Sequence, residues 1–198
     1  MKLQLRIGKV LYLLVVLLIA GVALAALIFV LPAAASRQSV QETTVTWLDG
    51  PSGEIVAGQE ITVSVRISDV VGLYGIEFTL NFTPTHLQVI DADLGTPDVQ
   101  IAPAECPQTD FLVQNVVSNA AGTIEYAVTQ LNPTPPFSGD CTVAHIRFTA
   151  QQAIPTTVTF AELTLSNKDF GQIPSEAIGI KIGESGKRYV YLPIIIKP

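Results

Sequence analysis

From residue 60 onward the chain alternates apolar and polar positions with a period of two. Ile61, Val63, Val65 and Ile67 fall on one side of an extended chain, and Thr62, Ser64, Arg66 and Ser68 on the other. After a break marked by Gly72 the alternation resumes with Ile76, Phe78, Leu80 and Phe82. This pattern predicts antiparallel strands over 60–70 and 74–82, each half-buried on one shared core. The same reasoning places strands at 44–48, 87–92, 111–117, 123–131, 141–150, 156–165 and 177–183. Within 123–131, Ile124, Tyr126 and Val128 share a face. In 156–165 the alternation slips near Ala161-Glu162, which predicts a β-bulge. Turn clusters separate the strands: Asp49-Gly50-Pro51-Ser52-Gly53, Thr83-Pro84-Thr85 and Ala120-Ala121-Gly122. Asn132-Pro133-Thr134-Pro135-Pro136 is excluded from any central strand, because proline has no N–H to donate. Residues 95–110, with three prolines and Cys106, read as a loop. Nine short strands and no convincing helix in the exported part predict an all-β, antiparallel sandwich of jelly-roll topology.

The first 35 residues differ from the rest. Lys2, Arg6 and Lys9 precede an apolar run over residues 10–31, and Pro32-Ala33-Ala34-Ala35-Ser36 follows. The Ala-x-Ala pattern marks an export signal cut between Ala35 and Ser36. The run is also long enough to stay as a hydrophobic helical anchor with its positive end inside. Both fates place the remainder outside the cytoplasm, secreted or on the cell surface, with the membrane touched only through residues 10–31 if uncleaved. Residues 36–43 read as a linker, 44–183 as the domain and 184–198 as a joint and tail. The tail, Tyr189-Val190-Tyr191-Leu192-Pro193-Ile194-Ile195-Ile196-Lys197-Pro198, is apolar and too short to span a bilayer. It reads either as a sorting-type ending or as one more edge strand.

The chain has 11 Lys and Arg against 17 Asp and Glu. Removing the leader's three cations leaves the exported part at a formal −9. With no basic cluster outside the leader, nucleic acid is excluded as a partner, since phosphates would be repelled. Cys106 and Cys141 are an even count in an exported chain, which favours a disulfide; two small buried thiols are the other reading. They lack the spacing of a zinc site.

Residues 44–183 resemble the cohesin domain in an ordered series of elements. These are Gly58-Gln59-Glu60-Ile61-Thr62-Val63, then Leu73-Tyr74-Gly75-Ile76-Glu77-Phe78-Thr79-Leu80, then Phe82-Thr83-Pro84-Thr85-His86-Leu87-Gln88-Val89. Ala121-Gly122-Thr123-Ile124-Glu125-Tyr126-Ala127, the stretch from Ser138-Gly139 to Ile146-Arg147-Phe148, and Ile173-Pro174 complete it. The resemblance implies a nine-stranded jelly roll that binds dockerin modules in bacterial polysaccharide-degrading complexes. It also implies a flat strand face as the partner surface, with Glu77, Thr79 and Asn81 as outward contacts on the third strand. Thr83 stands where the family commonly has Asp, and Gly75 where a polar residue is often found.

Other chemistry is sparse. His86 and His145 are the only histidines and have no partner at ligand spacing, so neither metal nor cofactor is implied. Asp91-Ala92-Asp93 could lend oxygens to calcium, but the rest of a ligand loop is absent. Asp169-Phe170-Gly171 has no phosphate loop with it and reads as a turn. Asn81-Phe82-Thr83 fits a glycosylation sequon. No nucleophile elbow or triad is visible, and the expectation is a non-enzyme. One alternative is a carbohydrate-binding module, with Trp47, Tyr74 and Tyr126 as stacking candidates, although Trp47 reads equally as a core residue. The other is a structural spacer with no discrete ligand.

Overall fold

A computed structural model describes residues 43–184 and 188–191. Among the described residues the regular elements are all strands: β1 (Thr44–Asp49), β2 (Glu60–Phe82), β3 (Leu87–Val89), β4 (Ala102–Pro103), β5 (Phe111–Ser118), β6 (Thr123–Thr129), β7 (Phe137–Ala150), β8 (Thr156–Asn167), β9 (Gln172–Ile173), β10 (Ser175–Ile182) and β11 (Arg188–Tyr191). No described helix is long and apolar enough to cross a membrane. The leader, with residues 10–31, Ala35 and Ser36, lies outside the described residues, as do residues 192–198 of the tail.

The nine expected strands become eleven among the described residues, through one merger and three additions. The strands expected at 60–70 and 74–82 are a single 23-residue strand, β2. Gly72, at φ 75°, marks a bulge instead of an end. The strand continues because β7 supplies side-chain acceptors where the ladder is interrupted. Asp140 Oδ1 accepts the Asp69 N–H at 2.9 Å, and Ser138 Oγ accepts the Gly72 N–H at 2.9 Å. Pairing to β7 resumes at Val70↔Gly139 and Leu73↔Phe137. Short β4 and β9 and the edge strand β11 are the three additions. The bulge expected in β8 is present: Thr79 faces Glu162 and Leu80 faces Phe160, which leaves Ala161 without a partner.

β2 therefore runs through both leaves of a sandwich. Its first half pairs with β1 and β7. Its second half pairs with β6 and β8. β5 extends this second leaf beyond β6, and β9 beyond β8. On the first leaf β10 runs parallel to β1, and β3 and β4 line β7. β11 pairs antiparallel with β10, so residues 188–191 form an edge strand.

The alternating apolar positions meet between the leaves. Phe78, fully buried, stacks on Tyr126 at 5.1 Å between centroids and meets Phe160 edge-on at 6.2 Å. Phe82 and Phe148 make a second edge-on pair at 5.4 Å. Val63, Val65, Ile67, Leu80 and Ile146 are fully buried around them. Each such side chain contributes about 1.5–3 kcal/mol through loss of apolar surface.

Candidate functional site

The second leaf presents its outer side as a four-strand face in the order β5, β6, β2, β8. Residues directly opposite across antiparallel strands share a side of the sheet. The ladder registers therefore arrange the outward positions in rows: Phe111–Thr129–Gly75–Ser166, then Gln114–Ala127–Glu77–Thr164, then Val116–Glu125–Thr79–Glu162, and last Ser118–Thr123–Asn81–Thr159. At ordinary sheet spacing this face is about 14 Å across and about 20 Å long. Its core side is filled by the alternate residues Ile76, Phe78, Leu80 and Phe82, all buried.

Glu77, Thr79 and Asn81 occupy consecutive rows on the central strand, with Glu77 and Asn81 exposed and Thr79 half-buried. The structure adds Glu125 from β6 and Glu162 from β8, both exposed, on either side of Thr79. Glu125 accepts a hydrogen bond from Gln114. None of the sixteen positions is Lys or Arg, so the centre of the face is acidic. On its β5 side the apolar residues Phe111 and Val116 are 54% and 43% exposed, beside Gln114 and Ser118. The parity of residues 123–131 already put Glu125 opposite Tyr126. Which strand lies beside which is not a local signal. The bulge at Ala161 decides which side of β8 carries Glu162.

The disulfide alternative is the one realised: Cys106 and Cys141 are bonded, with Cα atoms 6.1 Å apart. The bond fastens residues 104–106 along β7, where Ala104, Glu105 and Cys106 N–H groups donate to Val143 and Thr142 carbonyls. Asp110 Oδ2 accepts the Leu131 N–H at 2.9 Å, and this bond, followed by one to Thr134, holds the Asp110 carboxyl below its usual range. The loop thus delivers the chain to β5 at a fixed point.

The three aromatics considered for sugar stacking do not form a strip. Tyr126, expected among them, is 1% exposed and lies in the core against Phe78, so it presents no ring face to solvent. Trp47 is half-buried on the other leaf, with the Arg66 guanidinium 5.7 Å from its ring centre. Tyr74 is half-buried at the bend of β2.

Several other polar groups have structural partners. His145 Nδ1 and Ser64 Oγ are 2.9 Å apart across the outer side of the first leaf. His86 donates its backbone N–H to the Thr83 carbonyl, while its ring Nδ1 is buried without a hydrogen-bond partner. Asp91 Oδ1 accepts the Asp93 and Gln100 N–H groups. Asp93 accepts from Thr96 Oγ1 at 2.7 Å and from the Gly95 N–H at 3.0 Å. Those two bonds, Thr96 first, hold the Asp93 carboxyl below its usual range. Among the described residues, no three His, Cys, Asp or Glu gather to hold a metal ion.

The profile of the family described as Cohesin domain matches residues 44–179. The fold is similar to a type II cohesin domain from the cellulosome of Acetivibrio cellulolyticus. The TM-score is 0.62 at 15% identity, over 71% of this chain and 95% of that one. It is similar also to a type II cohesin–X–dockerin complex from the same organism, with TM-score 0.54 at 19% identity, covering 73% and 97%. A non-cellulosomal cohesin from the archaeon Archaeoglobus fulgidus gives 0.56 at 16%, covering 73% and 92%. No curated protein matches in sequence.

Proposed function

The chain belongs to the cohesin family, a family of non-catalytic binding modules, and from that premise we propose that it is an exported docking module. It holds a dockerin-type protein on the β5–β6–β2–β8 face. The observation that carries this reading is the face itself: open to solvent and centred on Glu77, Glu125 and Glu162, with no Lys or Arg among its sixteen positions. Rows of strand-borne polar side chains beside an apolar margin are the usual composition of a protein interface. The cohesin–dockerin complex with the same fold supports this choice of partner. Glu77, Thr79 and Asn81 are the contacts on the central strand. The apolar run with its Ala-x-Ala junction, and the acidic exported part, support a location outside the cell, secreted or surface-held. The docked proteins would be enzymes of polysaccharide breakdown.

The test uses the full chain and a panel of dockerin modules, with titration calorimetry as the readout. At least one module binds, and the double variant Glu77→Lys/Glu125→Lys weakens it at least tenfold, about 1.4 kcal/mol, with an unchanged melting temperature. Binding that ignores the charge reversal removes the face from the reading. A chain that binds no dockerin but retains on immobilised polysaccharide is the carbohydrate-binding alternative. One that binds neither is a spacer.

A further inference from the structure

β5 is the outermost strand of the second leaf, and its outer edge changes character halfway along. Toward Ser118 the edge is occupied. The Val117 N–H donates to the Val99 carbonyl at 2.9 Å, and the Asn115 side chain bonds the N–H and the carbonyl of Ile101 at 3.0 and 2.8 Å. Among the described residues, none pairs with that edge along residues 111–114; their ladder runs to β6 on the other side. The window ends at Asp110, whose Oδ2 is turned to the Leu131 N–H.

The window is apolar on both sides of the sheet. Phe111, Leu112 and Val113 are all exposed, Val113 at 59%. Leu112 pairs with Val128, which is in the core, so it points to the core side and yet stays 41% exposed. Sheets usually guard such an edge with Lys, Pro or an inward charge. The eight residues of β5, FLVQNVVS, contain none of these. The one guard present is a bulge: Leu112 faces Val128 and Gln114 faces Ala127, so Val113 has no ladder partner. A bulge bends the strand, which shortens the stretch open to pairing without removing it.

We propose that the edge of residues 111–114 is a self-association site, where two copies of this chain pair β5 to β5, antiparallel, about a two-fold axis. The inference goes beyond the docking reading and does not depend on it. Three observations select a second copy. The window matches itself: turned about its own centre, Phe111 meets Gln114, which lies on the same outer side of the sheet, and Leu112 meets Val113. Such an isologous contact closes with two copies, and the bend at Val113 opposes an open-ended sheet. A longer added strand, by contrast, runs into Ile101, which holds the edge at Asn115. The third observation is charge. Residues 36–198 carry a formal −9, so copies meet where their acids stay apart. β5 itself is uncharged. Glu125 on β6 stands three strand spacings from its counterpart, about 14 Å, and the two Asp110 residues are five positions apart along the pair, about 17 Å; both exceed a Debye length of about 8 Å at physiological salt.

The test follows the mass of the full chain, in a mild non-ionic detergent, by sedimentation velocity as concentration rises. So short an edge buries less than a standard interface, and the dimer is expected with a Kd of about 100 μM. Val113→Lys and Val113→Asp each place a charge in the window. The residue is exposed and outside the ladder, so the melting temperature holds while the Kd rises at least tenfold. Val56→Lys is the control. Val56 is 61% exposed near Gly58, whose N–H bonds to the Ala150 carbonyl at the far end of the sandwich, and its variant dimerises like the parent. Hydrogen exchange supplies a second readout: protection within residues 111–114 grows with concentration in the parent and not in the Val113 variants. A parent that stays monomeric up to about 1 mM overturns the proposal. So do dimers that hold in both Val113 variants, dimers that fail equally in Val56→Lys, and species that keep growing beyond two copies.

Discussion

At the scale of single residues, two positions show how closely side-chain identity is tied to the sandwich. Tyr126 lies in the core with its hydroxyl shielded from water, and desolvation pushes its pKa from the ordinary value of 10.0 up to about 12. The unfolded chain therefore loses this proton first as pH rises. Stability from this group is fully present below pH 10 and declines from about pH 10 to about 12. Denaturant melts across that window show a fall in the parent that Tyr126→Phe reduces. Equal slopes in the two proteins would contradict a buried hydroxyl. Gly122 has φ 76°, and a Cβ there would lie 2.2 Å from the Phe82 carbonyl oxygen and 2.8 Å from the Pro84 ring. Left-handed strain alone costs about 1–2 kcal/mol, and the collision adds to it. Gly122→Ala is expected to lower the urea midpoint by the equivalent of about 2 kcal/mol or more. A midpoint within error of the parent would mean that the β5–β6 turn sits clear of Phe82 and Pro84.

At the scale of elements, β2 and the 104–110 segment decide the shape of the β5–β6–β2–β8 face. β2 leaves the first leaf and enters the second without ending, so the strand that carries Glu77, Thr79 and Asn81 is anchored at its far end between β1 and β7. The disulfide closes a separation of 35 residues between Cys106 and Cys141. On the chain-entropy account a loop of that size contributes about 3–4 kcal/mol. Cys106→Ser/Cys141→Ser should lower stability by that order in urea titrations. Hydrogen exchange should rise first over residues 104–112, because those residues feed β5. Unchanged protection there would separate the disulfide from the β5 edge. The alternating pattern along 60–82 was readable in advance, and so was the bulge at Ala161. The continuity of β2 was not, because Gly72 reads locally as a stop. Only the acceptors Asp140 and Ser138, more than 60 residues away in sequence, turn it into a bulge.

At the scale of the whole molecule, charge sets how a partner is met. The chain is at −6 overall, and the acidic rows of the face lie beside apolar Phe111 and Val116. Electrostatic complementarity acts mainly on the association rate and is screened by salt, with a Debye length of about 10 Å at 0.1 M and about 3 Å at 1 M. Stopped-flow measurements with a dockerin that binds should therefore show association slowing about tenfold between 50 mM and 500 mM NaCl. Dissociation, set mainly by short-range contacts, should change little. An association rate indifferent to salt would mean that Glu77, Glu125 and Glu162 lie outside the contact.

The order of apolar and polar residues alone determined that this chain builds half-buried strands, where most of them begin, and which residues of each enter the core. Those are local properties, dictated by a side-chain period of two. Glu77, Thr79 and Asn81 were legible as outward positions for the same reason. Tertiary structure alone decided which strands became neighbours. It thereby brought Glu125 and Glu162 beside Thr79, sank Tyr126 against Phe78, and set the Phe170 turn at the same end of the face as Phe111. Those placements depend on registers between residues far apart along the chain, which no local pattern encodes.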